Sequence, residues 1–116
     1  MSATDPPLFL PETYLKMVQD ILQAHLPNAD VWAYGSRVNG DYYDASDLDL
    51  VVRQPDDLMR GQFNLGDVKD AFVESNIPII VQLVDWARIP ESFHAEILAK
   101  YAAVQKVSSN SKLTGD

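Results

Sequence analysis

With 116 residues and 47% hydrophobic content, the chain has the length of one domain and the composition of a folded one, which excludes an intrinsically disordered protein. It contains no cysteine, so a disulfide framework and a thiolate metal site are both excluded. Its net charge of -8, with nine Lys and Arg scattered from Lys16 to Lys112, disfavours direct binding of nucleic acid and suits a basic protein partner or an anion delivered with a cation.

No apolar run is long enough to cross a bilayer, and "MSATDPPLFL" lacks the basic and apolar regions of a signal peptide. The expectation is therefore a cytoplasmic protein with no membrane association. Residues 1–10 read as an irregular lead-in, because Pro6 and Pro7 oppose a helix start. Pro11 suits a first helical position, and from it Tyr14, Val18, Ile21 and Leu22 recur at helical spacing until Pro27. "DVWAY" (30–34) reads as a short strand. Residues 35–44 read as a turn with one helical turn after Ser36, and "DLDLVV" (47–52) as a second strand. Pro55 and Gly61 break the loop that follows, and Asp56-Asp57 reads as a helix start or loop and not as a metal site. Leu65, Val68 and Phe72 share one face of a helix over 65–75. The near-continuous apolar run "IPIIVQLVDW" (77–86) predicts a third strand buried on both faces. Pro90 opens a last helix whose stripe is Phe93, Ile97, Tyr101 and Val104. Residues 108–116 read as a disordered polar tail after a domain over 11–107. The order α-β-turn-β-α-β-α predicts an α/β (α+β) layer, a short mixed β-sheet flanked by helices. Its strand order is not fixed by these patterns.

The stretch "YGSRVNGDYYDASDLDLV" carries the chemistry. Alternation along a strand puts Asp47 and Asp49 on one face, about 7 Å apart, while Leu48 and Leu50 face the other way. Two bare carboxylates there repel each other, and a divalent cation resolves the conflict. Mg²⁺ is commonly bound by one or two carboxylates together with substrate phosphates and water. Gly35-Ser36, directly after a strand, offers a phosphate close backbone approach and free N–H groups. Arg37 adds a cation, or else braces the loop. Neither D-x-D nor Gly-Ser is specific alone, but their ordered combination is.

That combination resembles the signature of the minimal nucleotidyltransferases, members of the DNA polymerase β-like superfamily. "VQLVDW" and "PESFHAEIL" resemble the family's third strand and final helix, so the likeness runs from about Pro11 to Lys106. It implies a polymerase β palm-like fold and transfer of AMP from ATP with Mg²⁺. It also implies Asp47 and Asp49 as catalytic and metal-binding residues, and Gly35, Ser36, Arg37 and Ser46 as the residues holding the nucleotide. Many members act as antitoxins beside a helical HEPN-domain protein, which makes such a protein the expected partner. The small chain leaves a partner or a second copy (a homo-oligomer) to complete the acceptor site.

One position departs from the pattern. The family's third strand reads V-D-x-x-D with apolar x, and its first aspartate is ordinarily the third catalytic carboxylate. Here the segment is Val81-Gln82-Leu83-Val84-Asp85. Asp85 has the wrong parity to stand in for the missing carboxylate and is expected to serve the strand-to-helix turn as a backbone acceptor. Two classes of function follow: an adenylyltransferase, or a binding module of the same fold that neutralises its partner by contact.

Overall fold

The computed structural model describes residues 7–107. The tail expected at 108–116 and most of the lead-in lie outside those residues. Helix α1 (Glu12–His25) precedes β1 (Asp30–Tyr34), a single helical turn α2 (Ser36–Asn39) and β2 (Leu48–Arg53). Then come α3 (Leu65–Val73), β3 (Val81–Asp85), a 3₁₀ turn (Trp86–Arg88), α4 (Glu91–Ala99) and β4 (Ala102–Gln105). Pro11 caps α1 one residue outside it, with an extended ψ of 141°.

The strands form one mixed sheet in the order β3-β2-β1-β4. β1 runs antiparallel to both β2 and β4, and β2 runs parallel to β3. The parallel pair needs a crossover, and α3 supplies it.

Alternation gives the sheet two unlike faces. On one, Val31, Ala33, Leu48, Leu50, Val52 and Leu83 pack under Val18 and Leu22 of α1 and Val68 and Phe72 of α3. On the other, Trp32, Val51 and Trp86 pack under Ile97 of α4, with Tyr34, Val84, Phe93 and Tyr101 around them. The helical spacing of α1 and α3 and the parity of β2 are thus realised as read.

Two expectations fail. The last helix does not reach Tyr101 and Val104: it stops at Ala99, and Lys100 is extended with φ -162° and ψ 113°. Tyr101 stacks on Trp32 with ring centroids 4.0 Å apart. Beyond it Ala102 and Ala103 pair with Ala33 and Trp32. An aromatic stack and a fourth strand outcompete about one and a half further helical turns. The third strand is also shorter than 77–86 and is not buried on both faces. It lies at the sheet edge, Gln82 is exposed and Ile80 is 63% exposed.

Candidate active site

The site forms where β1 ends and β2 begins. Gly35 follows β1 with φ +83°, a conformation that side-chain-bearing residues rarely adopt. A Cβ there would lie 2.5 Å from Asp49 Oδ2, so the Asp49 carboxylate rests directly against the glycine backbone. The Gly35 carbonyl then accepts N–H bonds from Val38 (3.0 Å) and Asn39 (2.9 Å), which closes α2 with Ser36 at its first position. Gly40, at φ +100°, ends the turn.

Arg37 and Ser46, both expected beside the nucleotide, have other work. Arg37 is only 3% exposed. It donates to the carbonyls of Ser46 (3.0 Å), Asp44 (2.9 Å), Tyr43 (3.4 Å) and Phe9 (2.8 Å). The Ser46 hydroxyl accepts the Tyr43 N–H at 2.9 Å. Both residues shape the loop that delivers Asp47, and the guanidinium is committed to the protein's own carbonyls. A side chain satisfied by distant main-chain atoms leaves no trace in a local motif, although the bracing alternative for Arg37 was readable.

Asp47 stands just before β2 and Asp49 lies within it, both half-buried, while Leu48 and Leu50 between and beyond them are fully buried. The strand register sets Asp49 beside Tyr34 on one side and Gln82 on the other. Gln82 Nε2 donates to Asp47 Oδ2 at 3.2 Å. Asp47, Asp49, Gln82, Tyr34 and Gly35 therefore meet at one end of one sheet face.

Burial first, and the charge of Asp47 second, push the Asp49 carboxyl above the usual carboxylate range. The Tyr34 phenol rises to about 12, again from burial and then from Asp49, so it stays a neutral hydroxyl. Its ring meets Phe93 edge-on at 5.6 Å. Among the described residues no Lys or Arg forms an ion pair with Asp47 or Asp49. Among the described residues the repulsion between the two carboxylates is thus balanced by no ion-paired cation.

Asp85 turns away from this site, as its parity requires. It is buried and accepts the Gln62 N–H at 2.8 Å, with Arg88 Nε at 3.5 Å. Gly61 makes room for it, since a Cβ there would lie 2.8 Å from Asp85 Oδ2. Asp85 anchors the 54–64 loop rather than the strand-to-helix turn. Among the described residues His25 and His94 join no metal cluster; His94 stacks on Trp86 at 3.8 Å and shares a 2.7 Å hydrogen bond with the Trp86 carbonyl.

Among the described residues no group of three or more His, Cys, Asp or Glu could hold a metal. The donor set at the site is two carboxylates with an adjacent amide. Two carboxylates match one hard cation whose other positions are filled by phosphate oxygens and water. The close Gly35 backbone and the uncompensated charge of Asp49 fit that role.

The comparisons agree with this architecture. A model of the central palm domain of mitochondrial-like poly(A) RNA polymerases matches residues 10–92. Among curated proteins, the probable protein adenylyltransferase MntA of Haemophilus influenzae is 41% identical over 93 residues, which cover 79% of each chain. Among solved structures, a toxin-antitoxin with AMP-PNP superposes with TM-score 0.64 at 17% identity, covering 90% of this chain and 80% of that one. The MntA-HepT toxin-antitoxin gives TM-score 0.61 at 13% identity, with 88% and 78% covered. Those two likenesses establish the fold. With the palm model over most of its length and this identity to MntA, the chain belongs to the minimal nucleotidyltransferase family.

Proposed function

We propose that the chain is a Mg²⁺-dependent nucleotidyltransferase that moves AMP from ATP to a hydroxyl of a helical HEPN-domain protein, and so acts as the antitoxin of that pair. The observation that carries this reading is the pairing of Asp47 and Asp49 on one strand face with Asp49 against the Gly35 turn. The name of the MntA relative and the toxin-antitoxin assemblies among the structural neighbours support the acceptor class.

Asp47 and Asp49 would hold the Mg²⁺ of a bound Mg-ATP, and the N–H groups beginning at Ser36 would meet its phosphates. The ion supplies neutralisation of the triphosphate charge. In the transfer, the acceptor oxygen bonds to the α-phosphorus, the bond from that phosphorus to the β-bridging oxygen breaks, and pyrophosphate leaves. The hydroxyl proton passes to water or to a base on the partner. Gln82 cannot take it, because a neutral amide is no useful base. Tyr34, half-buried and neutral, lies beside Asp49.

A second reading rests on Gln82: a fold that keeps the nucleotide cleft but neutralises its partner by contact. One experiment separates them. The HEPN partner is incubated with the chain, ATP and Mg²⁺ and weighed by mass spectrometry, with Asp47→Asn in parallel. Added adenylyl groups that vanish with Asp47→Asn establish transfer. An unmodified partner that is nonetheless inhibited establishes contact.

A further inference from the structure

We infer that Gln82 makes this a one-ion site, in which its amide N–H holds Asp47 and no charged ligand remains for a second divalent cation. The inference rests on the reading of Asp47 and Asp49 as ligands of a metal–triphosphate, and deepens it.

Two-ion phosphoryl-transfer sites hold their cations roughly 3.5–4 Å apart and share anionic oxygens between them. A second ion beside Asp47 and Asp49 would need an anion from the neighbouring strand. The residue in register with Asp49 there is Gln82. Its amide presents nitrogen, not oxygen, to Asp47 Oδ2 at 3.2 Å. That donor occupies a carboxylate oxygen which a second cation would share. Turning the amide over would offer only a neutral oxygen and would forfeit the bond to Asp47. The other carboxylate of β3, Asp85, is buried among Gln62, Arg88 and Gly61 and lies on the opposite parity. Among the described residues no third His, Cys, Asp or Glu joins the pair. Gln82 is itself exposed on an edge strand, so a change there alters the ligand set with little cost to packing.

The test counts ions rather than turnover. Mn²⁺ bound to the full chain is measured by electron paramagnetic resonance in the presence of saturating non-hydrolysable ATP analogue. Wild type and Gln82→Ala are expected to hold about one ion per chain, and Gln82→Asp about two, with the coupled signal of a close Mn²⁺ pair. Circular dichroism reports whether each variant folds, and Gln82→Glu places the same charge on a longer arm should the aspartate variant unfold. A wild-type count of two with nucleotide bound overturns the inference alone. So does a count that stays at one in both acidic variants. A wild-type count of zero overturns the metal–triphosphate reading as well.

Discussion

The two faces of the sheet are made by the same strands and differ in almost everything else. Leu48, Leu50 and Val52 of β2 point under α1 and α3 and are fully buried. Asp49, Val51 and Arg53 alternate with them and point the other way, where α4 and a group of aromatics cover only part of the surface. Arg53 lies over Trp32 at 4.0 Å and Trp86 at 4.7 Å, and Asp49 lies half-buried toward the other end of the strand. A period of two lets six residues build a core and a charged site at once. The first face carries stability, while the second concentrates unlike chemistry that the first can support.

The sharpest way to break this comparison is to truncate one residue of the buried face. Leu50→Ala leaves a cavity between α1, α3 and the sheet and is expected to cost about 2–5 kcal/mol in denaturant unfolding. Gln82→Asp, on the exposed edge of the other face, should leave the midpoint nearly unchanged. Comparable losses from both would show that the faces are not divided in this way.

Arg37→Ala comes next, because Arg37 shapes the loop that delivers Asp47 to the charged site. Its removal leaves the buried Ser46 carbonyl and the part-buried Phe9 and Asp44 carbonyls without that donor, at a cost of about 1–3 kcal/mol. Lysine lacks the fork that reaches several carbonyls and should rescue little. If Arg37 served the nucleotide instead, the variant would keep its midpoint and lose only ATP affinity, which unfolding and calorimetry together would reveal.

Gly35→Ala tests the contact between turn and carboxylate. The positive φ alone costs about 1–3 kcal/mol. The new Cβ would also displace Asp49, which lies 2.5 Å from where it must go. Mg-ATP affinity should therefore fall further than the stability loss explains, as read by calorimetry at a temperature where the variant is folded.

How much of this was legible in the sequence depends on the range of the interaction. Asp47 and Asp49 share a face because of their spacing, which is local, and the Gly35 turn is local too. Val68 and Phe72 obey helical spacing for the same reason. β4 was not legible: Tyr101 and Val104 fit the α4 stripe equally well, and the partners that draw them away, Trp32 and β1, lie about 70 residues back in sequence. The edge position of β3 is a fact of sheet order, which an apolar run cannot report. The loop duties of Arg37 and Ser46 depend on carbonyls that no side-chain pattern encodes. The direction of the Gln82 amide, which decides whether it ligates or donates, likewise appears only when Asp47 is placed beside it.

The smallest expected effect has the opposite sign to the others. Asp49 is half-buried with its carboxyl raised, by burial and by Asp47, above its ordinary value. The folded chain thus holds that proton more tightly than the unfolded chain. Its contribution to stability is fully present below the unfolded value near ~3.9 and is lost as pH rises through the folded one. At neutral pH and without metal, the ionised group is a liability. Asp49→Asn should then stabilise the metal-free protein, by under about 1 kcal/mol given the solvent exposure of the site. The gain should shrink as the pH is lowered toward the unfolded value, where wild type is protonated as well. With Mg-ATP present the order should reverse, because the wild type gains a ligand that the variant holds poorly. Thermal unfolding of both proteins across this pH range, with chelator and with Mg-ATP, checks each part. A stabilisation by Asp49→Asn that persists unchanged at low pH would assign the effect to packing and not to charge. A stabilisation that survives saturating Mg-ATP would remove Asp49 from the set of metal ligands.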